Sequence, residues 1–238
     1  MDDMKILAII PARGGSKGIK NKNLATLGGR PLIAYTISAA HESGSLDRTI
    51  VTTDSAEIAE ASRSLGAEVP FLRPAELAQD NTPGIDPILH ALQWLEEQQG
   101  YRPDFVICLQ PTSPFRTADD IDVAAKLGCK HSCSVIGLVG AKQHPYWMKQ
   151  ITRDGLLKDF IETDERFTRR QDLPPVFMIN GAIYVARRKT LLERKSFYAE
   201  HTRPHIMPPE RSLDIDTPWD LCLANLVMRD KNRAPKPV

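Results

Sequence analysis

Residues 9–23 read IIPARGGSKGIKNKN, a short apolar run followed at once by glycines and by Arg13, Lys17, Lys20 and Lys22. Gly14 and Gly15 let the backbone turn tightly and bring N–H groups toward an anion, and the cations add charge, so the stretch is suited to cradling phosphate. The spacing fits neither G-x-x-x-x-G-K-[ST] nor G-x-G-x-x-G, and a solvated surface turn uses the same residues. Far along the chain, SLDIDTPWDL places Asp214 and Asp216 on either side of one isoleucine. Strand-like alternation turns both carboxylates to one face, where a divalent cation relieves their repulsion, and Mg2+ is the natural guest. The same letters also suit a helix start, with Asp216 or Thr217 capping ahead of Pro218.

Two more stretches carry polar groups at the ends of apolar runs. In LQPTSPFR, Gln110 offers a donor and an acceptor on a loop stiffened by prolines, as a polyhydroxylated or amide-bearing ligand requires. A turn leading into a helix capped by Thr117 explains the same residues. In TRRQDLPPVFMINGAIYV, Arg169 and Arg170 precede a strand that Asn180 and Gly181 interrupt, which signals a bulge or the close approach of a ligand.

The elements that must position these residues follow from the pattern of the whole chain. Runs of strand length alternate with helical periods: KILAII then PLIAYTISAAHES, RTIVTTD then SAEIAEASRSLG, AEVPFLRP then ILHALQWLEEQQ, DFVICLQP then TADDIDVAAKLG. Strands apolar on both faces and joined by helices predict an α/β protein, a three-layer Rossmann-like unit over residues 4–139 with a mainly parallel sheet. Ligands of such sheets collect at the carboxyl ends of the strands, where GGSKG, TTDS and QPTSPFR all fall. Residues 140–175 break the pattern and read as an inserted segment; the sheet resumes at VFMINGAIYVA, and WDLCLANLVMRD closes the chain as a helix before a flexible tail at 231–238.

A chain of 238 residues suits one domain spanning 1–238. Thirty-one Lys and Arg against thirty Asp and Glu exclude a protein that holds nucleic acid or an acidic membrane through overall charge. The apolar run Met4–Ile10 is too short for a signal peptide, and no run reaches the roughly 18 residues of a membrane span, so a cytoplasmic protein without a membrane partner is expected. The four cysteines, Cys129 and Cys133 among them, lack a second pair at metal-ligand spacing and read as reduced thiols.

Taken in order, IIPARGGSKGIKNKNL, GGRPLIAYTI, TTDS, RPAELAQD, LQPTSPFRT, NGAIYV and DIDTPWDL resemble the acylneuraminate cytidylyltransferases, the CMP-sialic acid synthetases, over about residues 5–228. The resemblance implies a nucleotidyltransferase fold of the GT-A-like kind with a small inserted dimerisation lobe. It implies an enzyme that joins CTP to a nine-carbon α-keto acid sugar and releases pyrophosphate, with Mg2+ as cofactor. By that resemblance Arg13, Gly14, Gly15, Ser16, Lys17, Lys22 and Asn23 hold the nucleotide, with Arg73 and Thr82 completing its pocket. Pro83 and Gly84 stand where family members carry serine or threonine. Gln110, Asn180 and Tyr184 face the sugar, and Phe197 and Tyr198 match an aromatic pair that enters the neighbouring subunit, which implies a homodimer. Lys22, Arg170, Asp214 and Asp216 form the catalytic set, the two aspartates holding the metal. Met178 occupies a place where sialic acid enzymes carry arginine, which opens the sugar to legionaminic or pseudaminic acid or an eight-carbon keto sugar. An inactive nucleotide-sugar-binding regulator is a rival that intact Asp214, Asp216, Lys22 and Arg170 argue against.

Overall fold

The computed structural model describes residues 4–163 and 169–231. Strand β1 (Ile6–Pro11) opens the chain, and the glycine-basic loop after it leads to a small ribbon of β2 (Thr26–Leu27) and β3 (Arg30–Pro31). Helix α1 (Leu32–Glu42), β4 (Arg48–Thr52), α2 (Ala56–Ser64), α3 (Asp86–Gln99), β5 (Phe105–Cys108), α4 (Ala118–His131) and β6 (Val135–Gly140) follow. The hairpin β7 (Lys149–Ile151) and β8 (Leu157–Asp159) precedes β9 (Phe177–Arg187), α5 (Arg188–Arg194), β10 (Arg203–Ile206) and α6 (Pro218–Lys231).

Six strands form one sheet in the order β10-β6-β9-β5-β1-β4. All pairings are parallel except those of β9, which runs antiparallel to both β5 and β6. Side chains alternate across it as a two-faced sheet demands. Ala8, Ile10 and Ile107 pack with residues of α1, α2 and α4, whereas Leu7, Ile9 and Val106 pack with residues of α3 and Leu191 of α5. The expected three layers are therefore present.

One expectation needs correction. AEVPFLRP is not a strand: it touches β4 through one bridge, Ile50 to Glu68, and meets Thr53 through another, at Leu72. Pro70 and Pro74 remove backbone donors from this edge and stop the ladder from propagating. Of the two residues suited to cap α6, Thr217 takes the role and Asp216 does not. Thr217 Oγ1 accepts from Asp220 N while Asp220 Oδ2 accepts from Thr217 N, so the reciprocal pair satisfies the helix start and leaves the Asp216 carboxylate unused by it. Within the stretch read as an insertion, β7 and β8 form a separate two-stranded sheet. The tail at 232–238 lies outside the described residues.

A buried ionic node joins the parts that carry the site. Thr117 caps α4 in a reciprocal pair with Asp120. Asp120 is 2% exposed and receives Arg211 Nε at 2.9 Å and Nη2 at 3.0 Å, with His205 Nε2 3.5 Å away. Arg211 begins the stretch that ends in Asp214 and Asp216, so the clamp fixes that stretch to the first turn of α4. Burial pushes the Asp120 carboxyl up, but contacts from His205, Arg211 and Thr117 outweigh it and hold the group below the ordinary carboxylate range. A depressed pKa stabilises the fold above the unfolded value and the benefit is lost as pH falls through the folded one. Asp120→Asn should therefore cost about 3 kcal/mol near neutrality, and the gap to the parent should narrow as pH drops below about 4, as read by chemical unfolding over a pH series.

Candidate active site

A cleft of about 520 Å³ opens along the carboxyl ends of β1 and β5. The glycine-basic loop contributes Arg13, Ser16 and Lys17 to one side, and Asp214 and Asp216 lie in the same cleft. Lys22 and Asn23 sit in the short 3-10 turn Lys22–Leu24, entered through Asn21 in the left-handed region. The two lips touch through their backbones: Gly18 packs so tightly against the Asp216 carbonyl oxygen that a Cβ there would overlap it.

Four cations face this cleft, and each meets a carboxylate from another segment. Arg13 Nη1 and Lys17 Nζ lie 3.0 Å from Asp80 Oδ1 and Oδ2, respectively. Lys22 Nζ donates to Asp216 Oδ1 at 2.8 Å. Arg73, almost fully buried, reaches Asp54 Oδ1 only at 3.5 Å, and its Nε has no partner. Burial pulls the Arg73 pKa down, partly offset by Asp54. A buried guanidinium so poorly satisfied is prepared for an acceptor from a ligand.

The acids differ in environment. Asp216 is exposed, but Asp214 is mostly enclosed and its Oδ1 has no hydrogen-bond partner. Burial, with the Asp216 charge adding to it, raises the Asp214 pKa, while Thr112 and Lys22 oppose the shift. Ile215 between them is fully buried with Leu27, Leu32 and Phe115, and its N–H donates to Thr112 O at 2.9 Å. The alternation predicted from the sequence thus survives without a strand: the isoleucine goes into a core and the carboxylates face the cleft. An acid pair with one orphaned oxygen fits a divalent cation. Among the described residues no group of three or more His, Cys, Asp or Glu is arranged to hold a metal, so any ion here takes its other ligands from substrate and water.

The remaining predicted residues divide. Thr82 and Gln110 line the cleft, as does Gly84. Gly181 stands at a positive φ of 72° beside Gln110 Oε1 and Asp214 Oδ2, where β9 runs on but its pairing with β6 shifts register. Gly14 is engaged elsewhere, its N–H donating to Asp54 Oδ1 at 3.0 Å. Asn23 is buried and holds the loop through Nδ2 to Arg13 O. Asn180 does not present its amide to a sugar: Nδ2 donates to Ser212 Oγ and Met207 Sδ, and Oδ1 accepts from Ala182 N. Tyr184 is partly buried, its hydroxyl pushed up to about 12 by burial with Cys108, Tyr198 and Asp214 adding to the shift. Phe197 is packed in this chain's own core, 5.7 Å from the Tyr184 ring centroid, so only Tyr198 of the aromatic pair is exposed. Arg170 begins the 3-10 turn Arg170–Asp172, and its side chain lies outside the described residues. Sequence reading missed Asp54, Asp80 and Thr112. Asp54 and Asp80 lie inside the quoted TTDS and RPAELAQD, where an acid close to a basic loop was the available signal.

A mainly parallel sheet between two helix layers, with a glycine-basic turn and an acid pair brought to one cleft, fits the class of nucleotidyltransferases, to which the relatives assign the chain. The chain belongs to the cytidylyltransferase family, whose model matches residues 7–229. It is 38% identical over 227 residues to the CMP-N,N'-diacetyllegionaminic acid synthase of Legionella pneumophila, covering 94% of this chain and 97% of that protein. It is also 38% identical over 232 residues to an N-acylneuraminate cytidylyltransferase of Escherichia coli, covering 96% of this chain but 53% of the relative, so it spans about half of that protein's length. A solved CMP:2-keto-3-deoxy-manno-octonic acid synthetase complexed with CTP superposes with a TM-score of 0.71 at 17% identity, covering 97% of this chain and all of the other, and shares its fold.

The loop glycines have unlike surroundings, which gives a direct test. A Cβ on Gly15 meets nothing within 4 Å, whereas one on Gly18 strikes backbone. Gly18→Ala should lower the melting temperature by about 4–8 °C, equivalent to about 2 kcal/mol, and Gly15→Ala should leave it nearly unchanged in the same thermal melts.

Proposed function

We propose that this cytidylyltransferase transfers the CMP group of CTP to a nine-carbon α-keto acid sugar, with Mg2+, as a homodimer in the cytoplasm. The observation that carries the reading is the cleft in which four cations meet the acid pair Asp214 and Asp216, drawn from separate segments and held at one rim of the sheet. The sugar's anomeric hydroxyl attacks the α-phosphorus; a bond forms from that oxygen to phosphorus, and the bond to the oxygen bridging to the β-phosphate breaks. Charge grows on the phosphoryl oxygens and on the departing pyrophosphate, so fixed cations supply most of the acceleration. Arg13 and Lys17 would bind the β- and γ-phosphates. Lys22 becomes available to phosphate when Asp216 takes another partner. Arg73 and Thr82 would contact the nucleoside, and Gln110, beside Asp214, the sugar.

Asp214 and Asp216 would hold the metal, for which the orphaned Asp214 oxygen is the structural support. Bound there, Mg2+ would neutralise charge on the α-phosphate and favour loss of the hydroxyl proton. Given CTP, Mg2+ and a panel of sugar acids, the protein should release pyrophosphate with a nonulosonic acid. The Legionella pneumophila relative, matched along its whole length, puts diacetyllegionaminic acid in that panel beside sialic, pseudaminic and the eight-carbon acids. Asp216→Asn should lower turnover at least about tenfold through loss of a metal ligand. Full turnover in that variant, or in EDTA, would remove the metal assignment.

The dimer is supported by the apolar surface of the inserted hairpin. Ile151, Leu156, Leu157 and Phe160 are all more than half exposed, and Phe177 and Met178 at the projecting start of β9 are exposed too. Exposed apolar side chains in this number support an interface there. Light scattering should give the mass of two chains, and Leu157→Asp should shift it toward one; a monomeric parent would refute the pairing.

A further inference from the structure

The carboxylates that neutralise the cleft's cations are not equivalent. Asp54 also accepts the Gly14 N–H and so shapes the loop. Asp216 belongs to the acid pair. Asp80, among the described residues, pairs with Arg13 and Lys17 alone. It sits just after the 3-10 turn Ala75–Ala78, on a segment that faces the glycine-basic loop across the cleft, and both segments line it. Its two oxygens are shared between two cations, each at 3.0 Å, and Gln79 O takes a further hydrogen bond from Arg13 Nη1 at 3.2 Å. Two anionic oxygens divided between an arginine and a lysine are what one phosphate group presents to such a pair.

The bridge lies in water. The Asp80 side chain is 50% exposed and that of Lys17 75%, so the pairing is weak and readily exchanged. Hydrogen bonding from Lys17, with the charges of Lys17 and Arg13, keeps Asp80 below the ordinary carboxylate range, so it is anionic whenever the cradle is empty.

We propose that Asp80 is a resident counter-ion of the phosphate cradle: it closes on Arg13 and Lys17 in the free protein, is displaced by the β- and γ-phosphates of the nucleotide, and competes with pyrophosphate to speed its release. The inference rests on the proposed nucleotide site and adds a role for a residue that touches neither reacting atom. Any ligand that fills the cradle must first separate Asp80 from both cations, so its affinity is reduced by the same factor. A ligand that stops at the α-phosphate leaves the bridge intact. Substrate binding is thereby weakened along with product binding, which favours turnover when pyrophosphate departure is slow.

Calorimetric binding of pyrophosphate, CTP and CMP to the full chain tests this. For Asp80→Asn, pyrophosphate and CTP should bind about five- to tenfold more tightly than to the parent, CMP should bind with unchanged affinity, and pyrophosphate should become a stronger product inhibitor. Asp80→Ser should behave in the same way should the amide perturb the turn, and Asp80→Glu should stay near the parent. Pyrophosphate affinity that is unchanged or weaker in both neutral variants would overturn the proposal and make Asp80 a bystander or a ligand contact. A parent that binds neither CTP nor pyrophosphate would instead reject the nucleotide site on which the proposal depends.

Discussion

Gathering several cations at one rim of a protein is unfavourable unless their charge is answered, and this chain answers it with carboxylates borne by other segments. Arg13 and Lys17 share Asp80, Lys22 has Asp216, and Arg73 has a distant Asp54. Each pair links two loops that are remote in sequence, so neutralising the charge also assembles the cleft. The pairs are graded by environment, from the exposed bridge at Asp80 to the buried and incompletely satisfied Arg73. Exposed pairs contribute little to stability and exchange easily, whereas a buried unsatisfied cation makes a site receptive to an anion. The exposed pairs are thus the ones an incoming anion can replace most easily.

The sheet holds the segments that carry these pairs. β1 and β5 end side by side, so the loops after them face one another. β9 runs the other way through the same sheet, and its Gly181 lets the backbone approach Gln110 and Asp214 closely. The acidic stretch is anchored on both sides of its carboxylates, by Arg211 on Asp120 before them and by the Thr217–Asp220 pair after them. With Ile215 in a small core against α1's Leu32 and the loop residue Phe115, that stretch has little freedom to close on itself. This geometry suits chemistry that depends on holding charge in place rather than on a nucleophilic side chain.

Much of the fold and of the cleft was legible in the residue order. The alternation of apolar runs and helical periods determined a three-layer α/β sheet because period and burial are local properties of the chain. The glycines and cations after β1, and the spacing of Asp214 and Asp216 about a buried isoleucine, already named both lips of the site, because a loop's residue types state which charge it can meet. Only the tertiary structure decided the partners. It committed the Asn180 amide and Phe197 to the protein's own interior and set Asp80 against Arg13 and Lys17. Those outcomes depend on which groups meet across the folded chain, and contacts between segments dozens of residues apart leave no periodic trace in the sequence.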